Sequence, residues 1–167
     1  ENGRTEAAQE YIHSVCAEIE ASKVNVYCEN EAANLILSSF AARAQHDGID
    51  FRVHAAIPLI LPLPDSDLCV LFSNALENAL HASQKLPPEQ RRLQVMAQML
   101  SPAMLGLVVE NRYNGVLKKQ QGILHSTKHE GTGIGLVSAE TVVHKYNGSL
   151  HLETEEHLFR VNVLLNL

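Results

Sequence analysis

Asn74, Asn78, His81 and Lys85 fall at i, i+4, i+7 and i+11, a spacing that lines them along one side of an α-helix. Asparagine is a poor helix former, because its amide competes with the backbone for hydrogen bonds. Two asparagines on one stripe, aligned with two groups able to carry positive charge, make a polar wall suited to facing a ligand. A plain solvated helix face has the same spacing. A second feature is Gly131-Thr132-Gly133-Ile134-Gly135-Leu136. Glycines let backbone N–H groups approach a ligand closely, and a helix opening at such a run favours an anion at its N-terminus. The run is neither GxxxxGK[ST] nor a dinucleotide fingerprint following a strand. By itself it is also what a flexible turn looks like.

The stripe belongs to a helix expected over residues 66–85. Leu68, Leu71, Phe72, Ala75, Leu76 and Ala79 form its apolar face. Asp65 or Ser66 is the expected N-cap, Asp67 adds negative charge to the first turn, and Pro87-Pro88 stops the helix. Two amphipathic helices precede it. One covers 5–21, with Ala8, Ile12, Val15, Cys16 and Ile19 on one face; the other covers 29–45, with Ala33, Leu37, Phe40, Ala41 and Ala44, and ends at Asp47-Gly48. Alternation over 49–57 reads as a strand, and Pro58, Pro62 and Pro64 punctuate the way to the central helix. Strands at 92–100 and 104–111 join through Ser101-Pro102-Ala103. Residues 112–130 are polar without a period and read as one long loop of the functional kind. The glycine run opens a helix ending near Tyr146, with Asn147-Gly148 as its stop, and strands at 149–154 and 158–165 close the chain as a hairpin. A strand-rich second half with helices on one face is α+β.

A net charge of −6 over 167 residues implies no general affinity for nucleic acid or anionic membrane. Cys16, Cys28 and Cys69 are odd in number and lack CxxC spacing, which suits reduced thiols rather than disulfides or a zinc site. No apolar run is long enough to span a bilayer. No His pair has the HExxH spacing of a metal centre.

The order of these features resembles the GHKL superfamily, the ATPases that include gyrase, heat-shock chaperones, mismatch-repair proteins and histidine kinases. Asn78-Ala79 on a helix, a strand ending at Asn111, a long loop and GTGIGL opening a helix carry the likeness. Within the superfamily, Asp67-Leu68 through Asn74, Ala82-Ser83, and Ser126-Thr127-Lys128 leading into the glycines resemble sensor histidine kinases of the peptide-pheromone quorum-sensing type. The resemblance runs from about residue 11 to the end. It implies a Bergerat-type α/β sandwich, a mixed sheet with helices on one face, preceded here by two helices.

The resemblance also implies roles. Asn78 matches the asparagine that coordinates the Mg²⁺ bridging the ATP phosphates, and Asn74 matches the upstream asparagine that supports metal and phosphates. His81 and Lys85 lie on the phosphate side of the same stripe. Gly131, Thr132, Gly133, Ile134, Gly135 and Leu136 match the second glycine box, and Lys128 matches the end of the lid over the phosphates. The first glycine box departs from the family's DxGxG: it reads Asn111-Arg112-Tyr113-Asn114-Gly115. Asn111 still offers an amide oxygen to the adenine amino group, as a weaker acceptor than a carboxylate. Gly115 is kept and Tyr113 replaces the other glycine.

The expectation is therefore the ATP-binding catalytic portion of a two-component sensor histidine kinase, using Mg²⁺ and ATP. Residues 1–47 would be the later part of its dimerisation region and residues 48–167 the catalytic domain. Its phosphoacceptor histidine would lie before Glu1, since His13 and His46 stand in no acceptor motif. Its partners would be its own dimerisation helix and a response regulator, with no nucleic acid. The whole would be the cytoplasmic part of a membrane-anchored homodimer. Two rivals share the fold: an anti-sigma-type serine kinase, and a degenerate regulatory module that binds no nucleotide.

Overall fold

A computed structural model describes residues 25–115, 118–120, 123–125 and 134–167. The helix expected over 5–21 lies outside the described residues. The rest runs α1 (Glu31–His46), β1 (Asp50–Ala56), α2 (Asp65–Gln84), a 3₁₀ turn (Pro88–Gln90), β2 (Arg92–Ser101), β3 (Met104–Arg112), β4 (Lys118–Gln120), β5 (Ile123–His125), α3 (Ile134–Lys145), β6 (Ser149–Glu155) and β7 (Leu158–Asn166).

Five strands form one sheet in the order β1-β2-β3-β7-β6. β1 runs parallel to β2, with α2 as the crossover between them, and every other neighbour is antiparallel. Alternation puts Leu93, Val95 and Ala97 of β2, Leu105, Leu107 and Val109 of β3, and Val161, Val163 and Leu165 of β7 on one buried face. All three helices lie on that face: α1 against β1, α2 against β2 and β3, α3 against β6 and β7. On the other face Arg52, Gln94, Glu110, Arg160 and Glu153 stand in one register row. There Arg160 pairs with Glu110 and, at 3.0 Å, with Glu153. The sheet is thus the mixed, one-sided α+β sandwich that the periodicities and the resemblance imply.

The core is centred on α2. Phe72, Leu76 and Leu80 are fully buried, and each contributes about 1.5–3 kcal/mol by leaving water. Ala33, Leu37, Phe40 and Ala44 of α1 belong to the same apolar cluster. Asn30 fixes the start of α1: its side-chain oxygen accepts from the Ala33 N–H at 2.9 Å, and its own N–H donates to the Ile57 carbonyl at 3.3 Å. A cap of this kind contributes about 1 kcal/mol.

Two local expectations need correction. Neither Asp65 nor Ser66 caps α2. Pro64 holds the N-cap position without a side-chain bond, and its carbonyl accepts from Asp67 and Leu68. Proline's fixed φ turns the chain into the helix one residue early, which leaves Asp67 for a different contact. Residues 112–130 are also not one uninterrupted loop. Arg112 still belongs to β3, and β4 and β5 pair antiparallel as a small separate ribbon. Three-residue strands are too short to show a period of two.

The turn after α3 uses two residues for two purposes. Asn147 takes the left-handed conformation (φ 47°) that ends the helix. Gly148 is needed for space: a Cβ there would sit 2.1 Å from the Leu164 carbonyl oxygen. Gly148→Ala must displace backbone of β7, so we expect a loss of about 1–3 kcal/mol, read as a lower urea midpoint with an unchanged slope.

Candidate functional site

α2 carries two surfaces. Its apolar face is in the core, and about a third of a turn away Asn74, Asn78 and His81 are half-buried on one side, with Lys85 exposed at the C-cap. The Asn74 Nδ2 donates to the Val70 carbonyl at 2.8 Å. That bond orients the amide and leaves Oδ1 as its remaining acceptor. Among the described residues the Asn78 amide has no side-chain hydrogen bond. His81 Nε2 lies 3.1 Å from Glu77 Oε1, and Glu77 meets Arg43 of α1 through both carboxylate oxygens at 2.7 and 3.0 Å.

Asp67 lies on the same side of α2, one helical repeat before Asn74. Lys145 Nζ donates to its Oδ2 at 2.7 Å and the Tyr146 hydroxyl at 2.6 Å. The C-terminal end of α3 is thereby pinned to the N-terminal end of α2. α3 also packs against α2.

The sheet adds a third element. Asn111 is 2% exposed on the buried face of β3 and donates from Nδ2 to the Arg112 carbonyl at 2.8 Å. Tyr113 follows on the same face, 8% exposed, edge-on to Phe159 with ring centroids 6.3 Å apart. Gly115 takes φ 79°, which a side chain would strain, and a Cβ there would crowd His157.

Of the sequence-derived candidates, Asn74, Asn78, His81 and Lys85 share one side of α2. Asn111 and Gly115 lie at and beyond the end of β3, and Ile134, Gly135 and Leu136 form the first turn of α3. Gly131, Thr132, Gly133 and Lys128 lie outside the described residues. Arg43 and Lys145 were not singled out; Asp67 entered only as a first-turn charge and within the family likeness, and Tyr146 only as a helix end. The i, i+4 spacing of Glu77 and His81 was the one signal available; their partner in α1 is distant in sequence. Among the described residues no cluster of three or more His, Cys, Asp or Glu could hold a metal.

The sequence pattern of a family described as GHKL domain matches residues 63–166. No curated protein matches. Among solved structures, the mycobacterial sensor histidine kinase MprB aligns at 22% identity and a TM-score of 0.61, over 81% of this chain and 93% of that one. The nucleotide-free catalytic domain of histidine kinase ThkA aligns at 14% identity and a TM-score of 0.65, over 81% and 92%. The Acinetobacter baumannii histidine kinase AdeS aligns at 10% identity and a TM-score of 0.59, over 81% and 62%. At these identities the likeness is one of fold.

The pin has a pH signature. Hydrogen bonds first from Lys145 and then from Tyr146 hold the Asp67 carboxyl below the usual carboxylate range. A carboxyl whose pKa is lower folded than unfolded stabilises the fold above the unfolded value, about 4, and loses that contribution as pH falls through the folded value. Asp67→Asn should therefore melt below the parent by a constant interval between about pH 5 and pH 8. The interval should close as the pH is taken below about 4, in thermal melts at fixed salt.

Proposed function

The chain belongs to the GHKL domain family, and from that premise we propose that it is the ATP-binding catalytic portion of a sensor histidine kinase of the peptide-pheromone quorum-sensing type. The observation that supports this most is the half-buried stripe of Asn74, Asn78 and His81 on α2, the helix to which Lys145 and Tyr146 of α3 are pinned through Asp67. A polyphosphate along that stripe would meet the Asn78 amide oxygen, and the start of α3 would offer it a helix N-terminus.

In this reading Asn78 Oδ1 is the protein's ligand to Mg²⁺. The donor suits a hard cation, and a single protein ligand suits an ion that keeps its waters and the phosphate oxygens. When bound, Mg²⁺ neutralises phosphate charge. Asn74, its amide oriented by the Val70 carbonyl, supports the metal and the phosphates from the same stripe. His81, Lys85 and Lys128 meet the phosphates, and the backbone of Gly131, Thr132, Gly133, Ile134, Gly135 and Leu136 supports them. Asn111 Oδ1 accepts from the adenine amino group, and Gly115 lets the chain turn into the lid. The γ-phosphoryl passes to a histidine on the dimerisation helix. Catalysis rests on positioning and charge neutralisation, with no protein nucleophile.

Hydrolysis should be slow. Asn74 stands where hydrolysing relatives have glutamate, and an amide takes no proton from water at neutral pH. Glu77 points about 60° round the helix from Asn74, and both its oxygens meet Arg43. The dimerisation region would supply residues 1–47, with α1 docked on the catalytic core. The partners would be that region and a response regulator, and the parent a membrane-anchored homodimer with this portion in the cytoplasm. Among the described residues no helix is long and apolar enough to cross a membrane. One observation favours a second reading, a module that has lost nucleotide binding: Tyr113 fills space where the family pattern has glycine.

Calorimetric titration with Mg-ATP analogue should give binding by the parent chain and at least about a tenfold loss in Asn78→Ala, with the far-UV spectrum unchanged. With γ-labelled ATP the chain alone should neither turn over rapidly nor label itself, because His13 and His46 stand in no acceptor motif. A supplied acceptor-helix fragment should gain acid-labile phosphate. Parent chain that binds no nucleotide would establish the second reading, and acid-stable phosphoserine on a partner the anti-sigma-type kinase.

A further inference from the structure

Glu77 stands one residue before Asn78, and its carboxylate joins two helices. Arg43 presents the guanidinium fork to it, Nη1 to Oε2 at 2.7 Å and Nη2 to Oε1 at 3.0 Å. The guanidinium itself lies 4.8 Å from the centroid of the Phe40 ring, and Phe40 is part of the core. Arg43 is thus held from behind by a ring that cannot move without the core, and in front by a bidentate pair. On its other side Glu77 Oε1 is 3.1 Å from His81 Nε2.

A surface ion pair is the ordinary explanation. Arg43 and Glu77 are 43% and 38% exposed, and pairs of that exposure contribute between nothing and about 1 kcal/mol. The geometry carries more than stability. A carboxylate held 3.1 Å from Nε2 restricts the ring orientation of His81 and leaves Nδ1 for other partners. A freely rotating imidazole would have to be ordered when ligand arrives; this one is ordered beforehand.

We propose that Arg43 and Glu77 are positioning residues that hold the His81 ring ready for the nucleotide phosphates, so that α1 sets a contact made by α2. The proposal rests on the reading of the α2 stripe as the phosphate side of an ATP site. It gives α1, which lies outside the residues matched by the family pattern, a part in nucleotide binding. Any displacement of α1 relative to α2 is transmitted to His81 through one rigid fork.

The test compares two ligands on the same chain. Mg-ATP analogue and adenosine are titrated against the parent, Arg43→Met and Glu77→Gln. Arg43→Met keeps the aliphatic stem over Phe40 and removes the fork. We expect both variants to lose about tenfold in affinity for the analogue, to keep the parent's affinity for adenosine, and to keep its melting temperature within about 3 °C. Arg43→Met in a His81→Ala background should produce no further loss. Arg43→Lys, which restores charge without the fork, should recover only part of the affinity. Unchanged analogue binding in both variants would overturn the proposal, as would an equal loss for adenosine or an undiminished effect in the His81→Ala background. Failure of the parent to bind the analogue would instead remove the reading of the stripe itself, and the proposal with it.

Discussion

One helix has to satisfy two environments. α2 buries Leu68, Leu71, Phe72, Ala75, Leu76, Ala79 and Leu80 against the sheet and its helical neighbours, and the same twenty residues carry a polar stripe round the cylinder. A helix that is apolar on one face cannot rotate without exposing that face, so the core fixes the azimuth of Asn74 and Asn78 as firmly as it fixes Phe72. Everything else in the site is set relative to that azimuth. Arg43 grips α2 from one side through Glu77, and Lys145 with Tyr146 grips it at its N-terminal end through Asp67.

The elements were legible in the sequence where burial imposes a period. Leu37 and Phe40, the alternation of β2 and β3, and the closing hairpin each fall within a residue or two of where the pattern puts them. The stripe was legible for the same reason, since spacing alone aligns four residues on a helix. The attachments were not. Arg43 and Glu77 are 34 residues apart and Asp67 and Lys145 are 78 apart, and a pair of opposite charges at that separation looks like any two solvated side chains. The parallel pairing of β1 with β2 was equally hidden, because alternation records which face a residue takes and not which strand lies beside it. Asn30 was missed too: the expected helix opened at residue 29 and enclosed it, although an asparagine before a helix is a recognisable cap. Its backbone contact with Ile57 ties α1 to the exit of β1, which no local rule contains.

The solved histidine kinases share this fold at 10–22% identity. Such divergence is tolerable because the architecture asks for volume and pattern in the core rather than for particular residues. Chemistry is less permissive: in the proposed nucleotide site, an amide at Asn111 and an aromatic ring at Tyr113 would change what the end of β3 can recognise.

β3 and β7 lie side by side in the middle of the sheet, paired from Met104 to Arg112. The chain leaves the sheet after Arg112 and returns to it in β6 at Ser149, with β4, β5 and α3 on the way. In polymer terms this is a closed loop whose ends are clamped by a nine-residue antiparallel ladder. The entropy of closing a loop grows only logarithmically, by about 0.6 kcal/mol for each doubling of length. Insertions and deletions beside β4 and β5 therefore weigh little on the stability of the sheet. The segment between β3 and α3 is free to change length while the five-stranded sheet keeps its register.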